Sequence, residues 1–197
     1  QTMYKFETQT NEKGEIENII NHKPNGYNPT TGIYASSYIF QGEWEDELNA
    51  LDYKKRVIKH DEAAQTDEDK GLVSAYLYNA FRSADGKSTT TEISGQFWGE
   101  EDPSTCQYTP SYYNSPKLRA ILDWFECDKT RIRIFQQQPG VHMPMHTDFD
   151  NQRGVEKFGE TLRIFVQLTD QPGGAWYKFQ TSDSDVSINL QKGQFLV

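Results

Sequence analysis

This chain has little cysteine, little histidine and no long apolar run, and each shortage removes a class of protein. The two cysteines, Cys106 and Cys127, lack CxxC spacing. That is too few for a disulfide-built scaffold, and a reducing, cytoplasmic setting is the expectation. No stretch approaches the roughly 18 apolar residues that a bilayer-spanning helix needs. The opening QTMYKFETQT has neither the basic flank nor the apolar centre of a signal peptide. Positive charge is also short: 20 Lys and Arg face 29 Asp and Glu, for a net charge of −9. Such a surface repels phosphate backbones and anionic lipid, so neither nucleic acid nor membrane is an expected partner. There is no glycine-rich phosphate loop, no GxSxG elbow and no Cys–His pair in a catalytic context.

Aromatic residues are plentiful: 11 Phe, 11 Tyr and 4 Trp in 197 residues. Disordered chains are poor in rings, so the composition predicts a ring-rich core. At roughly 100–200 residues per domain, the length predicts a single domain over 1–197.

Along the chain, residues 1–40 read as short strands joined by Gly, Asn and Pro turns. Residues 43–62 carry Trp44, Leu48, Leu51, Val57 and Ile58 near helical spacing, with acids early and bases late, which predicts a helix. GLVSAYLYNAFRS fits a strand or a short helix. Ser115-Pro116 reads as an N-cap followed by a first-turn proline, opening a helix that buries Leu118, Ile121, Leu122 and Phe125. From Thr130 the pattern changes. TRIRIFQQQ, ETLRIFVQLTD, GAWYKFQT and DVSINLQKGQFLV are strand-like and separated by PG, NQRG, QPGG and QKG turns. The expected class is mainly β with flanking helices (α+β). Residues 1–129 form a helix-containing support, and 130–197 begin an antiparallel sandwich or barrel.

The stretch QQQPGVHMPMHTDFD holds the chemistry. His146 and Asp148 lie two apart, so in a strand they project from one face, about 6.6 Å apart along the backbone. A neutral imidazole and a hard carboxylate together suit a divalent first-row metal, and a further His would complete a facial triad. An HxD pair by itself is a weak signal, equally compatible with a solvated turn. Pro139-Gly140 and Pro144 ahead of it, and the arginine-bearing TLRIF after it, strengthen the metal reading.

Taken in order, RIFQQQPGVHMPMHTDFDNQRG, ETLRIFVQLTD and SINLQKGQFLV resemble the core of the 2-oxoglutarate- and Fe(II)-dependent oxygenases. The similarity is greatest to the aspartyl/asparaginyl β-hydroxylase-like group and its bacterial and phage relatives. It covers roughly residues 130–197, about a third of the chain. The resemblance implies a double-stranded β-helix, a jelly roll related to cupins. It also implies Fe(II) held by His146 and Asp148, with 2-oxoglutarate as cosubstrate and Arg163 near its carboxylate. A guanidinium matches a carboxylate with two parallel N–H donors. Phe165 stands where some relatives have a second cosubstrate-contacting histidine. The family's distal histidine has no counterpart, because the other histidines, His22, His60 and His142, all precede the motif. The expectation is that the parent chain continues past Val197 and supplies it.

In the TLRIFVQLT strand, Thr161, Arg163, Phe165, Gln167 and Thr169 share one face, and Leu162, Ile164, Val166 and Leu168 share the other. The apolar face is expected to be buried and the mixed face to line the barrel mouth. His142 would lie about 13 Å from His146 in a regular strand, which suits a substrate-facing or solvated residue better than a ligand. Gln136, with Gln137 and Gln138, and at most one of the adjacent Trp176 and Tyr177 are further candidates for contact with a small-molecule or peptide substrate, although a solvated strand end explains the glutamines equally well and core packing or a sheet face is the default for the two rings. Two other classes remain open: a non-catalytic jelly-roll module binding carbohydrate or protein, and a cupin-like metalloenzyme that uses no 2-oxoglutarate.

Overall fold

A computed structural model of the chain describes residues 35–59, 73–90, 106–127, 129–137, 163–171, 177–180 and 185–197. These residues are mainly β-strands in antiparallel sheets, with a few short helices. The elements are β1 (Ala35–Ile39), α1 (Glu45–Ala50), β2 (Lys54–Lys59), β3 (Val73–Ser83), β4 (Gln107–Tyr108) and α2 (Pro110–Asn114). They continue with α3 (Pro116–Trp124), β5 (Ile132–Gln137), β6 (Phe165–Val166), β7 (Tyr177–Gln180), β8 (Asp185–Ile188) and β9 (Gln194–Leu196). None of the described helices is long and apolar enough to cross a membrane. The chain divides into two compact units, and each draws on sequence from both sides of residue 130.

One unit takes in Glu47–Pro116 and Asp128–Thr161. Its spine is β3, whose 11 residues exceed the usual strand length. β3 pairs with β2 along one edge, from Lys54↔Tyr78 to Lys59↔Val73, and with β5 along the other. The helix predicted over 43–62 therefore ends at Ala50, and its second half is the strand β2. Six backbone pairs with β3 outweigh a loose helical period, and the β-branched Val57 and Ile58 favour the strand. Val57 is 52% exposed, so its place in that period did not mark a buried face. Beyond β4, Thr109 fastens α2 to the sheet: its Oγ1 donates to the Ala80 carbonyl at 2.7 Å, and its N–H to Phe81 O at 3.0 Å. Phe81, Tyr108 and Tyr112 pack there as a ring cluster.

The other unit takes in Gln1–Asp46, Lys117–Cys127 and Leu162–Val197. Here β9 is the middle strand of three, with β1 on one side and β6 on the other. Its core is a ring cluster of Tyr38, Phe40, Trp124, Phe125 and Phe195. Phe40 lies 5.1 Å from Trp124 and 5.8 Å from Phe125, centroid to centroid, and Phe125 lies 5.2 Å from Phe195. Helix α3 supplies Leu118 and Ile121 to the interior, as its sequence pattern requires, while Leu122 is only half-buried. β7 and β8 form a separate antiparallel pair.

Two close contacts organise this unit. Gly193, at the third position of the QKG turn, has φ +82°, the left-handed value that a type II turn asks of glycine. Its carbonyl accepts from Phe40 N–H at 2.9 Å, and its own N–H donates to Gln167 O at 2.7 Å. A Cβ there would overlap the Phe40 carbonyl oxygen. Next to it, the Lys192 ammonium lies 4.9 Å from the Trp44 ring centroid and pairs with Glu45. The Trp44 indole N–H donates to Leu168 O at 2.6 Å. This pairing, with the hydrogen bond from Lys192 foremost, holds the Glu45 carboxyl below its ordinary value, and the same hydrogen bond raises the Lys192 ammonium.

Candidate functional site

His142, His146, Asp148 and Trp176 lie outside the described residues, and so does Gln138. Arg163 and Gln136 are described, and they belong to different units. Arg163 is exposed, two residues ahead of β6. Gln136 is exposed near the end of β5, where it pairs with Leu77. Among the described residues, no group of three or more His, Cys, Asp and Glu side chains is placed to hold a metal ion.

The segment after Arg163 departs from its expected two-faced pattern. Regular strand geometry is confined to Phe165–Val166. Gln167 is the buried residue, at 9% exposure, whereas Ile164, Val166 and Leu168 of the predicted apolar face are only half-buried. Burial of a glutamine is tolerated only when its amide is satisfied, and here it is. Gln167 Nε2 donates to the Thr169 carbonyl at 2.9 Å, which fixes the orientation of the amide. Its Oε1 then accepts from Gln171 Nε2 at 2.7 Å and from the Tyr177 hydroxyl at 3.3 Å. Gln171 is left with a buried Oε1 that has no hydrogen-bond partner among the described residues.

Tyr177 completes this cluster. Its ring lies 5.9 Å from Phe165, and burial raises its phenol above the usual tyrosine range. Of the adjacent Trp176 and Tyr177, Tyr177 is the described residue, and it meets Gln167 and Phe165. Chemically the cluster offers a phenolic oxygen, an amide oxygen seeking a donor and a ring face, a set suited to hydrogen-bonding a polar neutral group. Gln167 and Gln171 were not singled out by sequence as binding residues. The available signal was the alternation Arg163, Phe165, Gln167, which placed a glutamine on the mixed face without showing that it would be buried.

A second side-chain constellation lies on the β2–β3–β5 sheet. Directly paired residues share a face, so Arg56, Tyr76 and Gln137 form one row, and Lys54, Tyr78 and Phe135 form the next. Arg133 follows on the same face, opposite Ala80. Gln136 lies on the reverse face, with Leu77 and Lys55. The chain matches no protein-family model, no curated protein and no solved structure.

Proposed function

We propose that this protein is a non-haem Fe(II)- and 2-oxoglutarate-dependent oxygenase that hydroxylates a C–H bond, built on a double-stranded β-helix. The observation that carries the reading is the order of parts along the chain. A strand (β5) leads to Pro139-Gly140, then to His146-x-Asp148, then to the arginine segment at Arg163 and β6, and finally to two strands around the QKG turn. The donor set supports it. His146 offers an imidazole nitrogen and Asp148 a carboxylate oxygen, the pair that leaves adjacent positions open on a divalent first-row metal. When bound, the iron and cosubstrate supply the oxidising chemistry, with succinate and CO2 as coproducts. The chain's own part is to hold and orient. Arg163 anchors a cosubstrate carboxylate through paired N–H donors, and the Gln167–Gln171–Tyr177 cluster presents hydrogen-bonding groups beside the same segment.

The test is an anaerobic titration of the full chain with Fe(II) and 2-oxoglutarate, followed through the visible metal-to-cosubstrate charge-transfer band. The expected outcome is a saturable band that is lost in His146→Ala. A chain that gives no band, or a band indifferent to that substitution, overturns the proposal and leaves a β-rich binding module as the better reading.

A further inference from the structure

The hydrogen bonds around Gln167 run in one direction, and a backbone carbonyl sets it. Gln167, 9% exposed, donates from Nε2 to the Thr169 carbonyl at 2.9 Å. Its Oε1 accepts from Gln171 Nε2 at 2.7 Å and from the Tyr177 hydroxyl at 3.3 Å. Exchanging the ends of either amide would set oxygen against oxygen. Gln171 therefore uses its nitrogen on Gln167 and has an oxygen left over. That Oε1 is buried, with no hydrogen-bond partner among the described residues.

A buried acceptor without a donor weakens a fold, and in a folded protein it calls for a physical explanation. The surroundings point to a donor that arrives with a ligand. Tyr177 uses its one hydrogen on Gln167, and burial raises the phenol, so at neutral pH it stays an uncharged hydroxyl. Its lone pairs and the second hydrogen on each Nε2 are further bonding capacity. The half-buried Phe165 ring lies 5.9 Å from the Tyr177 ring and adds an apolar wall. Among the described residues one bond holds the Gln171 amide. Its terminal torsion is soft, so a small turn brings Oε1 to an incoming group.

Hydrogen-bonding rules narrow what fits. A carboxylate or phosphate brings only acceptors, and would set them against the Gln171 and Tyr177 oxygens. An ammonium brings a charge into a cluster whose members are all neutral, at the cost of its hydration. A hydroxyl is the smallest neutral group that both donates and accepts. It can give its hydrogen to Gln171 Oε1 and take a second hydrogen from an amide nitrogen, while its carbon body covers Phe165.

We propose that Gln167, Gln171 and Tyr177 bind the hydroxyl group of a small neutral alcohol whose carbon body packs on Phe165. The proposal rests on reading the segment after Arg163 as ligand-facing, and not on iron or 2-oxoglutarate, so a chain that fails the charge-transfer test can still pass this one. Benzyl alcohol is the probe, titrated into the metal-free, isotope-labelled full chain. Magnetic resonance follows the glutamine side-chain amides and the backbone amides of residues 165–171. Benzylamine, benzoate and toluene keep the ring and change or remove the polar group.

The expected result is a saturable shift of the Gln171 side-chain amide, which is identified by its loss in Gln171→Leu. Each of the other three compounds should need at least about fivefold more for half-saturation, the effect of one ordinary hydrogen bond. Gln171→Leu, read through the backbone amides, should weaken benzyl alcohol by about the same factor and leave toluene unchanged. If that variant does not fold, the selectivity of the wild-type chain carries the test. No saturable shift with benzyl alcohol overturns the proposal. So does toluene or benzoate binding as tightly, or Gln171→Leu binding the alcohol like wild type. A Gln171 amide that exchanges magnetisation with a resident water and ignores the probe also overturns it, by giving the oxygen to that water.

Discussion

Replacing Gly193 by alanine should be among the most damaging single-methyl changes in this protein. Two separate costs arise at that position. The backbone sits at φ +82°, where an L-residue is disfavoured by about 1–2 kcal/mol. The new methyl would also overlap the Phe40 carbonyl oxygen, a backbone atom that cannot swing aside. Relieving the overlap moves the QKG turn away from β1 and breaks the Phe40 N–H to Gly193 carbonyl bond of 2.9 Å, worth about 0.5–1.5 kcal/mol net. Together these predict a loss of roughly 1.5–3.5 kcal/mol. For a chain of this length that lowers Tm by about 3–14 °C.

Gly86→Ala is the internal control. Its φ is +71°, but the atoms nearest the added methyl belong to the Gln107 side chain, Oε1 at 3.3 Å and Cβ at 3.5 Å, and not to backbone. That substitution should therefore cost the backbone term alone, about 1–2 kcal/mol. Urea denaturation followed by circular dichroism reads both variants, since Gly193 shares a unit with Trp44 and Trp124 and Gly86 belongs to the other unit. A Gly193→Ala protein within about 0.5 kcal/mol of wild type, or one no worse than Gly86→Ala, would refute the close-approach reasoning.

Three further outcomes are expected. Lys192→Met removes the partner that depresses Glu45. The stability advantage of wild type over this variant is present above the ordinary carboxylate value of 4.5. It should shrink as pH falls through Glu45's lower folded value, and an advantage that instead grows in acid would contradict the pairing. Burial raises Asp85, but hydrogen bonds from Thr90 Oγ1 at 2.7 Å, the Lys87 N–H at 3.1 Å and Ser83 Oγ at 3.2 Å outweigh it and hold the carboxyl below 3.8. Asp85→Asn should therefore destabilise the protein at neutral pH by about 1 kcal/mol, with the difference closing below pH 3.8 in acid denaturation. Arg163→Ala should raise the 2-oxoglutarate concentration needed for half-maximal charge-transfer absorbance by about tenfold while leaving Tm unchanged. An unchanged requirement would remove Arg163 from the cosubstrate's contacts.

The parts of this fold that could be read from sequence are those set by local chemistry. β5 reads as a strand because Ile132 and Ile134 alternate with arginines, α3 because proline opens it and Leu118 and Ile121 keep its period, and the QKG turn because only glycine suits its third position. What failed was decided at a distance. Lys54–Lys59 looked helical until β3 was laid beside it, and no local signal could announce six pairs with a segment some twenty residues away. Gln167 read as part of a mixed face lining a barrel mouth, and its burial did not show because it depends on Thr169, Gln171 and Tyr177 arriving together. The His146-x-Asp148 reading rests on residue type and spacing alone, since both residues lie outside the described ones. The row of Arg56, Tyr76 and Gln137 was not legible, because its residues come from three strands and are brought together only through register.

The position of β9 between β1 and β6 has a consequence for the order in which this protein can be completed. Gln194 Nε2 donates to Ser36 O across 158 residues of sequence. On the ribosome, at about 5–20 residues per second, a span of that length takes roughly 8–30 s to make. Throughout that interval β1 has no strand partner from β9, and Phe40 lacks the Phe195 ring it packs against. A nascent chain of this protein therefore carries an open strand edge and unfilled ring contacts for tens of seconds. Slow translation through the central region, or loss of a holding chaperone, should lower the soluble yield of newly made chains more than it affects protein already folded.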